Sequence, residues 1–225
     1  MNIALQADSA DLPAAIERRV CDHSDPAAVD ALFANINQPL HLLVNSAWGG
    51  YERMVENGQF TWGLPFWQQP LHRWTGMIDA GLRAAYLTSA HAARGMVQSQ
   101  SGLIVNISFW AAQKFIGNTI YGVSKAATDK LTADIAHELR PHGVAALSLY
   151  PGLVRTEAVM AAAAWLDLSN SESPEFIGLV IHALHRDPHL LERSGQVFVA
   201  AALALELGVT DLDGRQPIPL TLQQV

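Results

Sequence analysis

Tyr121 and Lys125 stand four positions apart in the stretch IYGVSKAATDK, residues 120–130. In a helix, residues i and i+4 share one face about a turn apart, so both side chains can act on one bound molecule. A free tyrosine with a pKa of about 10 exchanges protons poorly near neutrality, but a neighbouring ammonium favours the phenolate and draws that value toward the working range. Ser108 lies thirteen positions before the tyrosine, at the end of a strand-like run. From there its hydroxyl would orient a carbonyl or alcohol oxygen that takes or gives the proton. The chemistry of the trio is acid–base exchange at an oxygen. The Tyr-x-x-x-Lys spacing is weak evidence by itself, because amphipathic helices often carry such pairs.

The elements that must position these residues alternate between short apolar runs and longer stretches of helical period, which is the α/β signature. The runs at 41–47 (HLLVNSA), 102–109 (GLIVNISF), 144–150 (VAALSLY) and 196–201 (QVFVAA) are nearly continuous in apolar residues. Parallel strands covered on both faces read this way. A weaker strand is expected at 19–22. Asp25-Pro26 then caps a helix carrying Val29, Leu32, Phe33 and Ile36 at helical spacing. Further helices are expected at 69–98, 119–140 and 174–186, the last capped by Ser173-Pro174-Glu175. The segment 48–70 is different, with Trp48, Tyr51, Phe60, Trp62, Phe66 and Trp67 set among Gly and Pro. It reads as an ordered aromatic-rich loop at the carboxyl end of a strand, inserted in a single domain spanning 1–225. Ligands of open parallel sheets bind outside those ends, so Asp22, the 45–50 stretch, Ser108 and the 151–156 stretch carry the functional weight.

Composition narrows the partners. The chain has 225 residues, half of them apolar, enough for a sizeable core. Its net charge is −7 with no Lys/Arg block, so the basic face that nucleic acid requires is missing. Cys21 is the sole cysteine, which excludes an internal disulfide and suits a reducing compartment; cytoplasmic residence is the simplest expectation. No apolar run approaches the roughly 20 residues of a membrane span, and no secretory signal is visible. His182 and His185 share a helix face, yet no carboxylate or cysteine is placed to complete a metal site, and no metal is expected.

The stretches HLLVNSA, LIVNIS, YGVSKAATDKLTADIAHELRPHGV and LYPGLVRTE, in that order and spacing, resemble the short-chain dehydrogenase/reductases. The resemblance runs from about Val20 to the C-terminus. The tail GVTDLDGR and the aromatic loop are most similar to the subgroup of dehydrogenase/reductase member 1 and its bacterial relatives. The resemblance implies a Rossmann-like doubly wound parallel sheet and an NAD or NADP cofactor. The activity it implies is reversible carbonyl/alcohol interconversion by hydride transfer. It further implies that Tyr121 is the proton donor or acceptor, that Lys125 holds the nicotinamide ribose and lowers the tyrosine pKa, and that Ser108 positions the reacting oxygen. Asp22 would contact the adenine, and Asn45 and Ala47 would support the cofactor ribose and the central strand. Pro151, Gly152, Val154 and Thr156 match the P-G-x-V-x-T element that grips the nicotinamide carboxamide. The substrate would be a small carbonyl or alcohol compound, apolar in view of the aromatic loop. Pairing through the long helices would give a homodimer or homotetramer, for which the helix bearing Ala126, Ala127, Leu131 and Ile135 is apolar enough.

Three departures accompany the resemblance. Gly81 falls where the family places an asparagine that helps relay protons. The family often ends its fifth strand in two serines, the second catalytic, whereas here Ser108 is followed by Phe109. Counting back from Tyr121 favours Ser108 and counting along the strand favours Phe109, and a slip of one residue turns the side chain to the other face. Most important, no T-G-x-x-x-G-x-G turn precedes Val20. That turn lets the backbone approach the pyrophosphate at a helix N-terminus. On this reading the sheet is N-terminally truncated, its first strands missing, and the strand at Val20 lies about two spacings, ~10 Å, from the one at Leu42. It either slides in to pair with 42–44 or stays apart. The rival reading is a non-catalytic remnant that serves as a binding or oligomerisation module.

Overall fold

The computed structural model describes residues 2–4, 16–51 and 53–225. In chain order the elements are β1 (Asn2–Ala4), β2 (Arg18–Val20), α1 (Pro26–Ala34), β3 (Leu42–Asn45), and the hairpin strands β4 (Val55–Glu56) and β5 (Gln59–Phe60). A short α2 (His72–Trp74) leads into a π-helical stretch at Thr75–Arg83 and then α3 (Ala84–Ser99). The second half holds β6 (Gly102–Ile107), α4 (Thr119–Leu139), β7 (Val144–Tyr150), α5 (Glu157–Ala161), α6 (Pro174–His185), α7 (Leu190–Arg193), β8 (Val197–Val199) and α8 (Ala200–Leu207).

The four apolar runs form one parallel sheet in the order β3-β6-β7-β8. Both faces are covered, as their composition requires. Leu103, Val105, Leu147 and Leu149 pack against Phe176, Val180 and Leu184 of α6 and against Leu203 of α8. Ile104, Val144 and Ala146 face the other way, toward Met96 of α3 and Ala136 and Leu139 of α4. This is the α/β, Rossmann-like layering that the sequence predicted.

Three expectations need correction. Of the two outcomes expected for the strand at Val20, it stays apart from β3, but it is not alone: it forms a separate parallel pair with β1, in the register Ala4↔Val20. No strand was expected ahead of it. Among the described residues no strand pairs with the outer edge of β3, and Val44 is 38% exposed beside a cavity of about 370 Å³ that His23, Phe33 and Thr88 also line. The long helix starts at His72 and not at Gln69, since Pro70 cannot sit in a helix interior. The last strand stops at Val199, and Ala200 and Ala201 already belong to α8, whose sequence AAALALEL is made of strong helix formers and ends at Gly208 with φ +68°.

The sheet is pinned in register by a polar row. Asn45, Asn106 and Ser148 are aligned across β3, β6 and β7. Asn45 Nδ2 donates to Asn106 Oδ1 at 2.8 Å, and Asn106 Nδ2 donates to Thr132 Oγ1 of α4 at 2.8 Å. Ser148 Oγ donates to the same threonine at 3.0 Å, and Thr88 Oγ1 of α3 donates to Asn45 Oδ1 at 2.7 Å. A buried network in which every member is satisfied rigidifies, and removing its centre strands the others. Asn106→Leu is therefore expected to lower unfolding free energy by about 2–4 kcal/mol, measured by urea denaturation, while Ser148→Ala at the end of the row costs about 1 kcal/mol.

Candidate active site

Asn118 begins the site. Its Oδ1 accepts the Tyr121 N–H at 3.1 Å and caps α4, and its Nδ2 donates to Trp62 O at 3.1 Å. One side chain thus sets the first turn of α4 and docks the aromatic loop beside it. Arg73, 1% exposed, braces that loop from below: Nη2 donates to Thr61 Oγ1 at 2.7 Å, and the guanidinium lies 5.3 Å from the Trp62 ring.

Tyr121 is enclosed by aromatic rings. Centroids of Trp48, Trp62, Tyr51 and Phe109 lie 5.2, 5.5, 6.1 and 6.4 Å from its own. Tyr51 donates its hydroxyl to the Tyr121 hydroxyl at 3.2 Å. One turn further on, Lys125 Nζ donates to Ile107 O at 3.2 Å and stands 4.7 Å from the Trp48 ring. The indole of Trp48 therefore touches both members of the pair. It has room because two neighbours lack side chains: a Cβ on Gly50 would come within 2.0 Å of the indole, and one on Gly81 within 2.6 Å. Gly81 belongs to the π-helical stretch, a widened geometry that tends to mark functional positions. The place aligned with the family's asparagine is filled in this chain by the edge of Trp48.

The electrostatics follow from burial. Tyr121 is 3% exposed, and desolvation, reinforced by the Tyr51 phenol, drives its pKa well above the ordinary tyrosine value. Tyr51 is raised as well by desolvation of its hydroxyl against Tyr121, although the residue as a whole is more than half exposed. Lys125, 7% exposed, is lowered to about 8 by desolvation against the opposing field of Asp129. The expectation that the ammonium would lower the tyrosine is not met in this closed arrangement, because the ammonium bonds a carbonyl and an aromatic face, and the phenol bonds another phenol.

The strand end after β6 separates the two residues between which counting had left a choice. Ser108 Oγ donates to Lys125 O at 3.3 Å and belongs to a buried group with Tyr150, whose hydroxyl bonds Asp129. Phe109 is the residue turned to Tyr121, its ring nearly parallel to the phenol at 16°. Ser108 and Tyr121 are not brought into contact. Asn45 sits in the polar row of the sheet, and Ala47 lines the cavity beside β3. Asp22 is exposed and accepts from Ser24 N–H at 2.8 Å and Ser24 Oγ at 2.7 Å, bonds that hold its carboxyl below the usual range. Gly152 N–H donates to Glu172 Oε2 at 2.8 Å, and Val154 bridges to Glu172. Thr156 Oγ1 accepts from Val159 N–H at 3.4 Å as the cap of α5. Pro151 directly follows β7.

Trp48 and Tyr51 were expected in an aromatic loop near the site, but not their contacts with Tyr121 and Lys125. The W-G-G at 48–50 was a usable signal for the first, since paired glycines beside a tryptophan make room for its ring. Glu172 was missed, and nothing in the sequence marks it.

A parallel sheet with a tyrosine and a lysine on one helix at the carboxyl ends of its strands defines an oxidoreductase-type α/β protein, and the comparisons agree. Residues 4–167 match the short chain dehydrogenase family, and the chain belongs to that family. It is 39% identical over 213 residues to dehydrogenase/reductase SDR family member 1 of Mus musculus and 38% identical to that of Homo sapiens, in each case over 87% of this chain and 67% of the relative. Among solved structures, a short chain dehydrogenase/reductase family protein superposes with a TM-score of 0.70 at 27% identity, covering 88% of this chain and 82% of the other. A 3-oxoacyl-[acyl-carrier protein] reductase with bound NAD from Brucella melitensis shares the fold, with a TM-score of 0.66 at 21% identity, over 81% of this chain and 69% of its own.

The lowered pKa of Lys125 carries a stability sign. Between about pH 8 and the unfolded value of 10.5, the unfolded chain binds more protons, so the lysine's contribution becomes more favourable as pH rises. At pH 7 both states are charged and the full burial cost is present, on the order of 3 kcal/mol. Lys125→Met, of similar length, is expected to melt higher than wild type at pH 7, with the advantage shrinking from pH 8 toward 10 in a calorimetric pH series.

Proposed function

We propose that the protein is an NAD(P)-dependent oxidoreductase that interconverts a carbonyl and an alcohol. The reading is carried by the placement of Tyr121 and Lys125 on successive turns of one buried helix, at the carboxyl ends of β6 and β7, in a chain of the short chain dehydrogenase family.

The residues suit the nicotinamide end of such a cofactor. Lys125 is a buried cation with no carboxylate in salt-bridge reach among the described residues, and Trp48 Nε1 is a buried donor without a partner. Both are groups that a ribose or carboxamide would satisfy. At the other end the chain contains no glycine-rich turn for a pyrophosphate. When bound, the nicotinamide supplies the hydride. Tyr121 gives the substrate oxygen its proton in reduction and takes it in oxidation. Lys125, once released from the Trp48 face, lowers the phenol by proximity and holds the ribose. Ser108 orients the substrate oxygen only after its hydroxyl leaves the Lys125 carbonyl. Trp48, Tyr51, Trp62 and Phe109 favour an apolar or ring-bearing substrate. Pro151, Gly152, Val154 and Thr156 would bind the carboxamide, Asp22 would contact the adenine, and Asn45 and Ala47 would support the cofactor ribose and the central strand.

Phe109 stacked on Tyr121 favours the second reading, a binding or oligomer-forming module without catalysis. One titration separates the two. Adding NADH or NADPH is expected to change tryptophan fluorescence saturably as Trp48 is displaced, with binding lost in Lys125→Ala. Tyr121→Phe is expected to keep binding and lose turnover of an aryl ketone by about a hundredfold or more. Absence of binding at millimolar cofactor would establish the module instead.

A further inference from the structure

The segment 151–156 receives the cofactor on the proposed reading, and its backbone is held by a carboxylate which that reading leaves without a role. Glu172 is 2% exposed. Its Oε2 accepts the Gly152 N–H at 2.8 Å. Its own N–H donates to Leu153 O at 2.8 Å, and its carbonyl accepts from Arg155 N–H at 2.8 Å, making a parallel bridge with Val154. A Cβ on Gly152 would lie 2.8 Å from Oε1 and 3.0 Å from Cδ, so glycine at 152 is the space the carboxylate needs.

The charged groups around it come from two further elements. Asp211, 3% exposed, accepts from Ser173 N–H at 2.9 Å and Leu212 N–H at 2.7 Å, and Arg155 Nη2 donates to it at 3.1 Å. Arg155 Nη1 donates to Ser171 O at 2.7 Å. A second carboxylate near Glu172 makes burial of its charge more costly. Packing alone would be served as well by an amide or a hydrocarbon, so the carboxylate's distinctive contribution is its strong, charge-assisted acceptor for one backbone amide.

We propose that Glu172 is a positioning residue whose buried carboxylate latches the Gly152 amide and thereby sets the conformation of the 151–156 segment that receives the nicotinamide cofactor. The inference rests on the cofactor-binding reading of that segment. Burial pushes the Glu172 pKa up to about 7, with the Gly152 N–H and Arg155 lowering it and Asp211 raising it. The latch therefore changes strength across the neutral range: the carboxylate grips the amide, and the protonated acid holds it less.

The test is made on the full chain. In ¹⁵N-glycine-labelled protein the Gly152 amide resonance is expected to move with pH, with a midpoint near 7, and to stay fixed in Glu172→Gln. Calorimetric titration with NADH is expected to show affinity falling about tenfold from about pH 8 to about pH 6, a dependence that disappears in Glu172→Gln. Glu172→Ala, with an unchanged circular dichroism spectrum, is expected to bind about tenfold more weakly at all pH values. If wild type binds no nicotinamide dinucleotide, the reading of the segment fails, and the Gly152 titration alone decides the latch. A Gly152 resonance that does not titrate, or that titrates unchanged in Glu172→Gln, overturns the proposal; so does cofactor affinity in both variants equal to wild type with the same pH profile.

Discussion

The ammonium of Lys125, held against one carbonyl and one indole face with no carboxylate in salt-bridge reach among the described residues, is the constraint around which the site is arranged. Burying a cation costs several kcal/mol unless something offsets it. Here the offsets are weak individually: a carbonyl at the end of β6, an aromatic quadrupole, and the field of Asp129 a turn away. Each comes from a different element, so β6, the loop after β3, and α4 must all arrive at one point. The polar row from Asn45 to Ser148 provides that convergence, because it locks β3, β6 and β7 in register and ties the sheet to α4 through Thr132.

Much of this frame was legible in the sequence for a simple reason. Strands buried on both faces must be apolar throughout, and GLIVNISF and VAALSLY announce themselves. Helix starts were equally plain where a cap and a proline coincide, as at Asp25-Pro26 and Ser173-Pro174. What stayed hidden depends on tertiary contact. Ala200 and Ala201 extend an apolar run and read as strand, but pairing with β7 ends at Val199 and helix propensity takes over. The β1–β2 pair is equally opaque, because three-residue strands carry too little pattern to name a partner.

The site divides in the same way. Tyr121 and Lys125 were readable because helical spacing fixes their relative direction, whatever surrounds them. Their environment was not, since it is made by Trp48 and Tyr51 from a loop whose path no periodicity constrains. The choice between Ser108 and Phe109 shows the limit sharply. At the end of a strand, one residue decides which face a side chain meets, and only the fold reveals that the hydroxyl turns to Tyr150 and the phenyl ring to Tyr121.

The contrast between the sheet and its mouth is itself informative. In the sheet and on the face of α4 against it, the central polar side chains Asn45, Asn106 and Thr132 all have partners. At the mouth, among the described residues, an indole N–H has none, a lysine is buried without a counter-ion in reach, and a phenol is pushed far from its ordinary ionisation. Proteins that are locally consistent elsewhere tend to break their own rules where a ligand is meant to complete them. These three costs adjoin one another at the strand ends where parallel sheets bind their ligands, although buried polar atoms without a partner also occur elsewhere, as at His23 Nε2 and His185 Nδ1. A structural plug would be better made from leucine, which fills the same volume and leaves no orphaned donor or charge. On the proposed function, the Trp48 ring is the group that a bound molecule would displace from Lys125.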